Sequence, residues 1–522
     1  MCLGSCSDAN ECLPCCALQA APQGAQHHAR PGQVDYLAVL LGAVGSTAIV
    51  HAQDAEPHGW LGNETLKTRF GDFEFKNGYP AGDAAQRLED LQTINRATEV
   101  YLAQLMPVSE IALRQGLRAF GATKPTQVVI WEKLMDPKTV LLTANTETVY
   151  GISHLALLAD GPTVVEAPPH MLGFLQDGLQ RYLADIGPLG LDKGNGGKFL
   201  VLPPNYKGSV PDGYFVVHSP TYSVTFAVRG LQFDRKTDQA VRLMKGIKIY
   251  PLAKAAMPPK MQFLTGSGKN IDTLFPDNFH FFELLAMLID EEPLDSFDPT
   301  QRAMMQAIGI EKGKPFKPDA KVRALLSEAA RLGGAMARAN TYKSTLGAFF
   351  YPDRKWQGIP DGMNYTFTRD GAPQIDARNN VYYMAAGNSP AMMEKHVGQG
   401  SQYLWTYRDA DGNYLDGTKN YRLHILPNIP ANNFWSVVVY DSLSRSELQN
   451  GQDLPSISSY TKPRVNADGS IDIFFGPQAP KNKGNWIKTV PSKGWFPIFR
   501  FYGPAEPYFD KTWKLEDIVA VP

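Results

Sequence analysis

The residues best suited to acid–base chemistry are Glu147 and His424, each in a segment with β-strand character. Glu147 lies in the string 145–151, where Asn145 and Tyr150 accompany it between two apolar runs. A carboxyl or imidazole group beside a bound substrate can transfer a proton. We therefore predict Glu147 as a general acid or base of a hydrolase, with His424 as the alternative. A tight turn with self-satisfied polar side chains explains the string equally well.

Three arginines are candidates for holding an anionic group. Arg229 ends the alternating run 222–229, Arg422 stands two residues before His424, and Arg500 opens the string 500–504. A guanidinium group can bind a carboxylate or phosphate through two parallel hydrogen bonds. We predict that these arginines orient a substrate, although salt bridges between elements would require the same residues.

Aromatic side chains accompany these polar residues along the second half of the chain. We predict that Trp435, Tyr440 and Trp486 stack against a ligand, and that Asn145 and Tyr150 bind it. Aromatic rings beside arginine and asparagine are typical of a pocket for a sugar, an aromatic acid or an anion. Packing at the strand ends of a sheet produces the same composition, so both interpretations stay open.

The common motifs of cofactor and metal enzymes are missing from the sequence. The string Gly266-Ser-Gly-Lys269 lacks the full P-loop spacing, and no zinc-binding HExxH string occurs. His280 and Glu283 are three residues apart on a predicted helix, but the surrounding phenylalanines favour a histidine in the core. We predict no cofactor and no metal site.

Charge and length restrict the partners and the number of domains. The 522 residues carry a net charge of −1 at pH 7, which argues against binding nucleic acid through a basic face. The length suggests two or three domains. We expect a small polar or anionic ligand as the partner, and the sequence does not indicate an oligomeric state.

The N-terminal residues 1–52 have the features of an export signal. All five cysteines lie within the first sixteen residues, and the apolar run 37–50 ends just before Ala52. This run is too short to span a bilayer but suits the apolar region of a signal peptide. We predict cleavage after Ala52 and a periplasmic or secreted product without a membrane span. A helix packed on the core is the alternative.

The pattern of apolar residues predicts a β-rich α+β fold. Residues 83–120 have helical spacing interrupted at Pro107, and short β-prone runs, including 154–159 as a separate strand, follow from residue 126 to 229. Residues 278–346 are again helical, and a second β-rich half begins after 350. Many short strands at this spacing favour sandwich or jelly-roll domains.

The C-terminal half contains five distinctive strings: Asn432-Asn-Phe-Trp-Ser-Val-Val-Val-Tyr-Asp441, Asn466-Ala-Asp-Gly-Ser-Ile-Asp472, Asn485-Trp-Ile-Lys-Thr489, Arg500-Phe-Tyr-Gly-Pro504 and Lys511-Thr-Trp513. In these strings the chain resembles the exported, mostly bacterial proteins that pair domain of unknown function 1254 with domain of unknown function 1214. The N-terminal resemblance is looser, and Glu147 replaces the usual acid in the string 145–150.

The resemblance implies two β-sandwich or jelly-roll-like domains with an N-terminal helical region and an intervening helical segment. We place the first domain at 70–270, a helical connector at 271–350 and the second domain at 351–522. The resemblance supplies no reaction. Three functions therefore stay open: an enzyme or binding protein for a small polar or anionic molecule, a non-catalytic carbohydrate- or solute-binding protein, and an envelope interaction module.

Overall fold

The computed structural model describes residues 62–343, 349–359, 364–481 and 484–522. The predicted signal segment 1–52, with all five cysteines, lies outside these ranges. The described chain begins with a three-stranded meander and two helices: β1 Asn63–Thr68, β2 Gly71–Lys76, β3 Tyr79–Pro80, α1 Ala84–Ala103 and α2 Leu105–Phe120. The break between the helices is at Gln104, not at Pro107 as predicted. Pro107 fits the first turn of α2 because an N–H there has no partner within the helix.

Two large sheets, one two-stranded sheet and two short helices follow. Their elements are β4 Gln127–Ile130, β5 Thr139–Val140, β6 Val149–Ala156, α3 Leu157–Asp160, β7 Thr163–Ala167, β8 Met171–Asp177, β9 Tyr182–Ile186, β10 Gly197–Leu202, β11 Phe215–His218, β12 Ser223–Gly230, α4 Asp238–Met244, β13 Lys248–Pro251, β14 Gln262–Thr265 and β15 Ile271–Asp272. One sheet has the order β14-β4-β6-β12-β8-β9 and the other β11-β10-β7-β13, while β5 pairs with β15. Residues 154–159 are not a separate strand as predicted, because they complete β6 and enter α3.

One hydrophobic cluster lies between these two sheets. Val149 and Phe226 enter it from the six-stranded sheet, and Val165 and Phe199 enter it from the four-stranded sheet. The alternation predicted for 222–229 is confirmed, since Val224, Phe226 and Val228 share this buried face. Arg229 consequently lies on the opposite face of β12, beside the helices and the C-terminal domain.

The middle of the chain is helical, as predicted. The helices are α5 His280–Glu291, α6 Pro299–Ala307, α7 Ala320–Lys343 and α8 Ile375–Met384, and they share one hydrophobic cluster with α1 and α2. His280 is not a core residue: its side chain is 58% exposed, and its Nδ1 lies 2.9 Å from Glu283 Oε2. Phe281 and Phe282 fill the core instead, because adjacent helical positions point in different directions.

The C-terminal region contains two further four-stranded sheets. Its elements are β16 Thr368–Arg369, β17 Ala372–Pro373, α9 Pro390–Met393, β18 Ser401–Trp405, β19 Asn420–Ile425, β20 Ala431–Asp441, β21 Ser456–Ser458, β22 Ile471–Gly476, β23 Asn485–Lys488, β24 Trp495–Pro504, α10 Glu506–Phe509 and β25 Val519–Val521. The sheet orders are β18-β24-β20-β21 and β23-β22-β19-β25. Val437 and Phe499 of the first sheet pack with Leu423 and Ile473 of the second.

The other side of the first of these sheets carries many polar groups. We call it the polar face, and its members are Ser401, Tyr403, Ser436, Tyr440, Ser456, Ser458, Arg500 and Tyr502. Strand register places Arg500 between Tyr403 and Ser436, and Ser436 beside Ser458. Because side chains alternate along a strand, Val437, Val439 and Phe499 face the core instead. Hydrogen bonds of Arg500, Tyr440 and Ser456 to the 143–147 segment direct the polar face toward the N-terminal domain.

The described residues form a β-rich fold with ten α-helices and several sheets, none of them closed. The predicted mixture of sheets and helices is confirmed, whereas the sandwich or jelly-roll topology stays a prediction. No helix in the described ranges is long and apolar enough to cross a membrane.

Candidate functional site

A cavity of about 110 Å³ lies between the two β-rich regions. The N-terminal sheet contributes Tyr150 and Arg229, and the polar face contributes Tyr403 and Arg500. The segment from α8 to α9 forms a further wall. The remaining lining residues are Thr143, Ile359, Val381, Met384, Ala385, Ala386, Gly387, Asn388, Met392, Met393, Trp405 and Ile498.

Arg500 is held in the middle of β24 and is only 4% exposed. Its Nη2 donates hydrogen bonds to the carbonyl oxygens of Thr143 at 2.8 Å and Ala144 at 3.3 Å. Its Nη1 is buried and forms no hydrogen bond of acceptable geometry with the described residues. Burial lowers the pKa of Arg500, but Tyr440 and the neighbouring phenols together raise it by a larger amount. The resulting pKa is above the usual value. Arg500 is therefore a permanent buried cation.

Arg229 is the second cation of the cavity, and it pairs with Tyr150 across β12 and β6. Its Nη1 donates a long hydrogen bond of 3.4 Å to Tyr502 Oη, and its guanidinium carbon lies 5.9 Å from the centre of that ring. Burial lowers the pKa of Arg229, while Tyr150 and Tyr502 raise it above its usual value. Phenol oxygens, not carboxylates, are thus the nearest polar partners of this cation.

Three carboxyl groups influence the two arginines, and each has a raised pKa because it is buried. Glu147 and Glu447 lie near Arg500, and Asp185 lies near Arg229. Burial raises the pKa of all three carboxyl groups, that of Glu447 well above its usual value, although the nearby arginine lowers each of them. Both carboxyl oxygens of Glu447 are buried without a hydrogen-bond partner in the described structure. A raised pKa favours the neutral acid. None of the three acids forms a salt bridge with Arg229 or Arg500 in the described structure.

Glu147 lies outside the cavity lining and joins the 145–148 turn to β21. Its Oε1 accepts hydrogen bonds from Thr146 at 2.9 Å and Ser456 at 3.0 Å, and its Oε2 accepts one from Ser458 at 2.8 Å. Burial raises its pKa, while these hydroxyl groups lower it by a smaller amount. The arrangement holds the carboxyl group between the two domains.

Asn145 and Tyr440 also contribute contacts between the domains. Asn145 Nδ2 donates a hydrogen bond to Tyr502 Oη, and its Oδ1 accepts one of 2.6 Å from the backbone N–H of Glu147. Tyr440 donates its hydroxyl to the carbonyl oxygen of Ala144. These bonds fix the 143–148 segment, in which the carbonyl groups of Thr143 and Ala144 accept the hydrogen bonds of Arg500.

The other predicted site residues lie elsewhere in the C-terminal domain. Arg422 and His424 belong to β19 in the second sheet, where His424 Nδ1 is 2.8 Å from Asp472 Oδ1. Trp435 packs in the core with its ring 5.6 Å from that of Phe499. Trp486 donates its indole N–H to the carbonyl of Gly476 at 3.0 Å. Their roles in binding or catalysis stay predictions, and the structure does not bring them together with Arg229 and Arg500.

Several residues in and beside the cavity were not among the predicted site residues. Tyr502, which contacts Arg229 beside the cavity, follows Arg500 by two positions, so the alternation of β24 could have placed both on one face. Tyr403 could have been found in the same way in β18. Met384, Met392 and Met393 gave no such signal, because the segment from α8 to α9 has no regular apolar pattern. In the described ranges, no group of three or more His, Cys, Asp or Glu side chains is arranged to hold a metal ion.

Comparison with known proteins identifies two family domains. Residues 125–251 match the family model described as protein of unknown function DUF1254. Residues 400–506 match the family model described as protein of unknown function DUF1214. No curated protein matches the chain. The cavity lies between these two segments, with Tyr150 and Arg229 in the first and Tyr403 and Arg500 in the second.

Two solved structures are similar to most of the chain. The VPA0106 protein from Vibrio parahaemolyticus is 19% identical and covers 82% of this chain and 100% of its own, with a TM-score of 0.49. An uncharacterized protein from Burkholderia cenocepacia is 13% identical and covers 83% of this chain and 96% of its own, with a TM-score of 0.39. On the two domain matches, the chain belongs to the two-domain family in which DUF1254 and DUF1214 occur together.

Proposed function

We propose that this protein binds a small anion in the cavity between its two domains, with Arg229 and Arg500 as the binding groups. The observation that carries the proposal is a pair of guanidinium groups, Arg500 buried and Arg229 partly buried, that form no carboxylate salt bridge in the described structure. The Nη1 of Arg500 also has no hydrogen-bond partner there. Burying an unpaired charge is costly. A bound anion offsets that cost, and guanidinium groups suit carboxylate and phosphate oxygens.

The phenol groups around the cavity support an anionic ligand as well. Tyr150 and Tyr403 line it beside the arginines, and a phenol O–H can donate a hydrogen bond to an oxyanion. Because no carboxylate of the described residues forms a salt bridge with Arg229 or Arg500, both positive charges remain for a ligand. The site therefore favours a negatively charged ligand over a neutral sugar.

Binding is favoured over hydrolysis by the chemistry of the walls. The described residues that line the cavity include no aspartate, glutamate or histidine, which are the commonest side chains for proton transfer. Glu147, the predicted acid or base, is occupied by three hydroxyl donors at the domain boundary. A hydrolase thus remains the alternative function, with its proton transfer assigned to Glu147 or His424.

A titration of the protein with formate, acetate and phosphate tests this function. At constant ionic strength, at least one anion should raise the melting temperature saturably, because a ligand that binds only the folded state stabilises it. Formamide and acetamide are the neutral controls and should give no shift. Equal shifts with the amides, or no saturable shift with any anion, would contradict the proposal.

We also propose a periplasmic or secreted location, because the run 37–50 and Ala52 have the pattern of an export signal. The intact mass of the protein from its native envelope should correspond to an N-terminus at Gln53. An N-terminus upstream of Leu37 would contradict the location.

A further inference from the structure

The cavity has two chemically different parts. The strands contribute the cationic and phenolic groups Arg229, Arg500, Tyr150 and Tyr403. The segment from α8 to α9 contributes methionine, valine and alanine side chains, and Ile359 and Ile498 extend this apolar wall. A bare inorganic oxyanion would contact the first part and leave the second without a partner.

We propose that the ligand is a short-chain monocarboxylate whose hydrocarbon tail packs against the wall formed by α8 and α9. This inference rests on the proposed function and names the class of anion that the same site takes. The carboxylate receives hydrogen bonds from the guanidinium groups. The tail lies against Met384, Met392 and Met393, whose flexible thioether chains adapt to apolar ligands of different shape.

The volume of the cavity limits the length of the tail. An engineered protein cavity of about 150 Å³ accommodates benzene, which has six carbon atoms. By that comparison, a cavity of about 110 Å³ holds a ligand of about four to five non-hydrogen atoms. Acetate has four such atoms and propionate five, so both fit the cavity. Butyrate, with six, reaches its limit, and hexanoate exceeds it.

The charge count of the site favours a monoanion. Two arginines face the cavity, but Arg500 already donates through Nη2 to two backbone carbonyl groups. Its buried, unpartnered Nη1 is the donor that remains for a ligand. A single carboxylate can use this donor together with Arg229, whereas a dianion would bury a second charge in walls that are partly apolar.

A comparison of acetate, propionate, butyrate, hexanoate, phosphate and butyramide, by calorimetric titration of the wild-type protein, tests the ligand class. Each added methylene should tighten binding about threefold to fourfold, up to propionate or butyrate, and hexanoate should bind more weakly. Butyramide has the shape of butyrate without its charge and should not bind. Phosphate should bind more weakly than butyrate.

Two results would overturn the inference, and they are distinguishable from each other. In the first, phosphate binds as tightly as butyrate, and acetate and butyrate have equal affinities. The cavity would then still bind anions, but the ligand would not be a monocarboxylate with a hydrocarbon tail. No anion binding, or butyramide binding as tightly as butyrate, contradicts the anion function as well.

A methionine variant tests the position of the tail. Met392→Gln should lower the ratio of butyrate affinity to acetate affinity by about threefold or more, because a polar amide replaces part of the apolar wall. A general loss of stability would not change this ratio. Met257→Gln is the control, since Met257 is 84% exposed and lies outside the cavity. An unchanged ratio in Met392→Gln would contradict the assignment of the tail to α8 and α9.

Discussion

The side-chain amide of Asn145 donates a hydrogen bond to the phenol oxygen of Tyr502 across the boundary between the two family domains. Tyr502 also accepts a long hydrogen bond from Arg229 and stacks on Phe434, with 4.0 Å between the ring centres. The hydroxyl therefore connects the N-terminal turn to one of the two cavity arginines. This contact joins the stability of the domain interface to the geometry of the proposed anion site.

Replacing Tyr502 with phenylalanine tests that connection. The ring can still stack, but the Asn145 amide loses its buried acceptor, so the free energy of unfolding should fall by about 1–2 kcal/mol. Denaturant unfolding is the measurement, and Tyr79→Phe is the control because Tyr79 is 76% exposed. Equal stability of Tyr502→Phe and wild type would show that this hydrogen bond does not hold the domains together.

Removing either cavity arginine should weaken binding of the small anion. Arg500→Gln and Arg229→Gln each eliminate a charge-assisted donor, so we expect a loss in acetate affinity of about tenfold to a hundredfold. Arg422→Gln is the matched control, because the Arg422 side chain is 44% exposed on the other sheet. Calorimetric titration measures all three variants.

The Arg500→Lys variant addresses the possibility that a neutral variant disturbs folding. It keeps the charge but loses the planar fork, so it should fold and bind with intermediate affinity. If acetate affinity falls as much in Arg422→Gln as in Arg500→Gln, the anion does not bind in the cavity.

The buried Glu447 carboxyl should make stability depend on pH. Its pKa is raised well above the ordinary value by burial, so the folded state binds the proton more tightly than the unfolded state. Stability from this group is present below the ordinary pKa and is lost as pH rises toward the folded pKa, at up to about 1.4 kcal/mol per pH unit.

Glu447→Gln cannot ionise, so its unfolding free energy should match the wild type near pH 4 and exceed it increasingly toward pH 8. Denaturant melts at several pH values measure the difference. Curves that stay parallel over the range would mean that Glu447 keeps an ordinary pKa.

Glu147→Gln should separate a structural role from a catalytic one. The substitution replaces one carboxyl oxygen by an NH₂ group, which cannot accept a hydrogen bond from a hydroxyl group. The unfolding free energy should therefore fall by about 1–2 kcal/mol. Glu328→Gln, on the exposed surface of α7, is the control. Acetate affinity should change less than in Arg500→Gln, because Glu147 does not line the cavity.

A fully stable Glu147→Gln variant that loses turnover of a substrate would favour the hydrolase alternative.

Residues with regular spacing were the ones whose structural setting could be predicted from the sequence. The alternation of 222–229 predicted the face of Arg229, and that of β20 separated Trp435 and Val437 from Ser436 and Tyr440. His424 and Arg422 share a face as predicted, but strand alternation cannot tell which sheet a strand joins. Their separation from Arg500 depends on long-range pairing of β19 with β22.

The apolar wall of the cavity could not be predicted from local pattern. Met384 ends a helix, and Met392 and Met393 lie on a four-residue helix after an irregular segment. Their meeting with Arg229 is set by tertiary packing across more than one hundred residues of chain. His280 illustrates the opposite error, because its aromatic neighbours suggested burial, whereas the helix turns its side chain to the surface.

Binding of a small anion between Arg229 and Arg500 can be observed directly in crystals. The most direct measurement is anomalous diffraction from crystals soaked in bromide, which is a small monoanion with a specific scattering signal. We expect a bromide peak inside the cavity, in contact with both guanidinium groups, and its loss in Arg500→Gln. A cavity without bromide, in crystals that show bromide at surface sites, would mean that the two arginines do not bind a small anion.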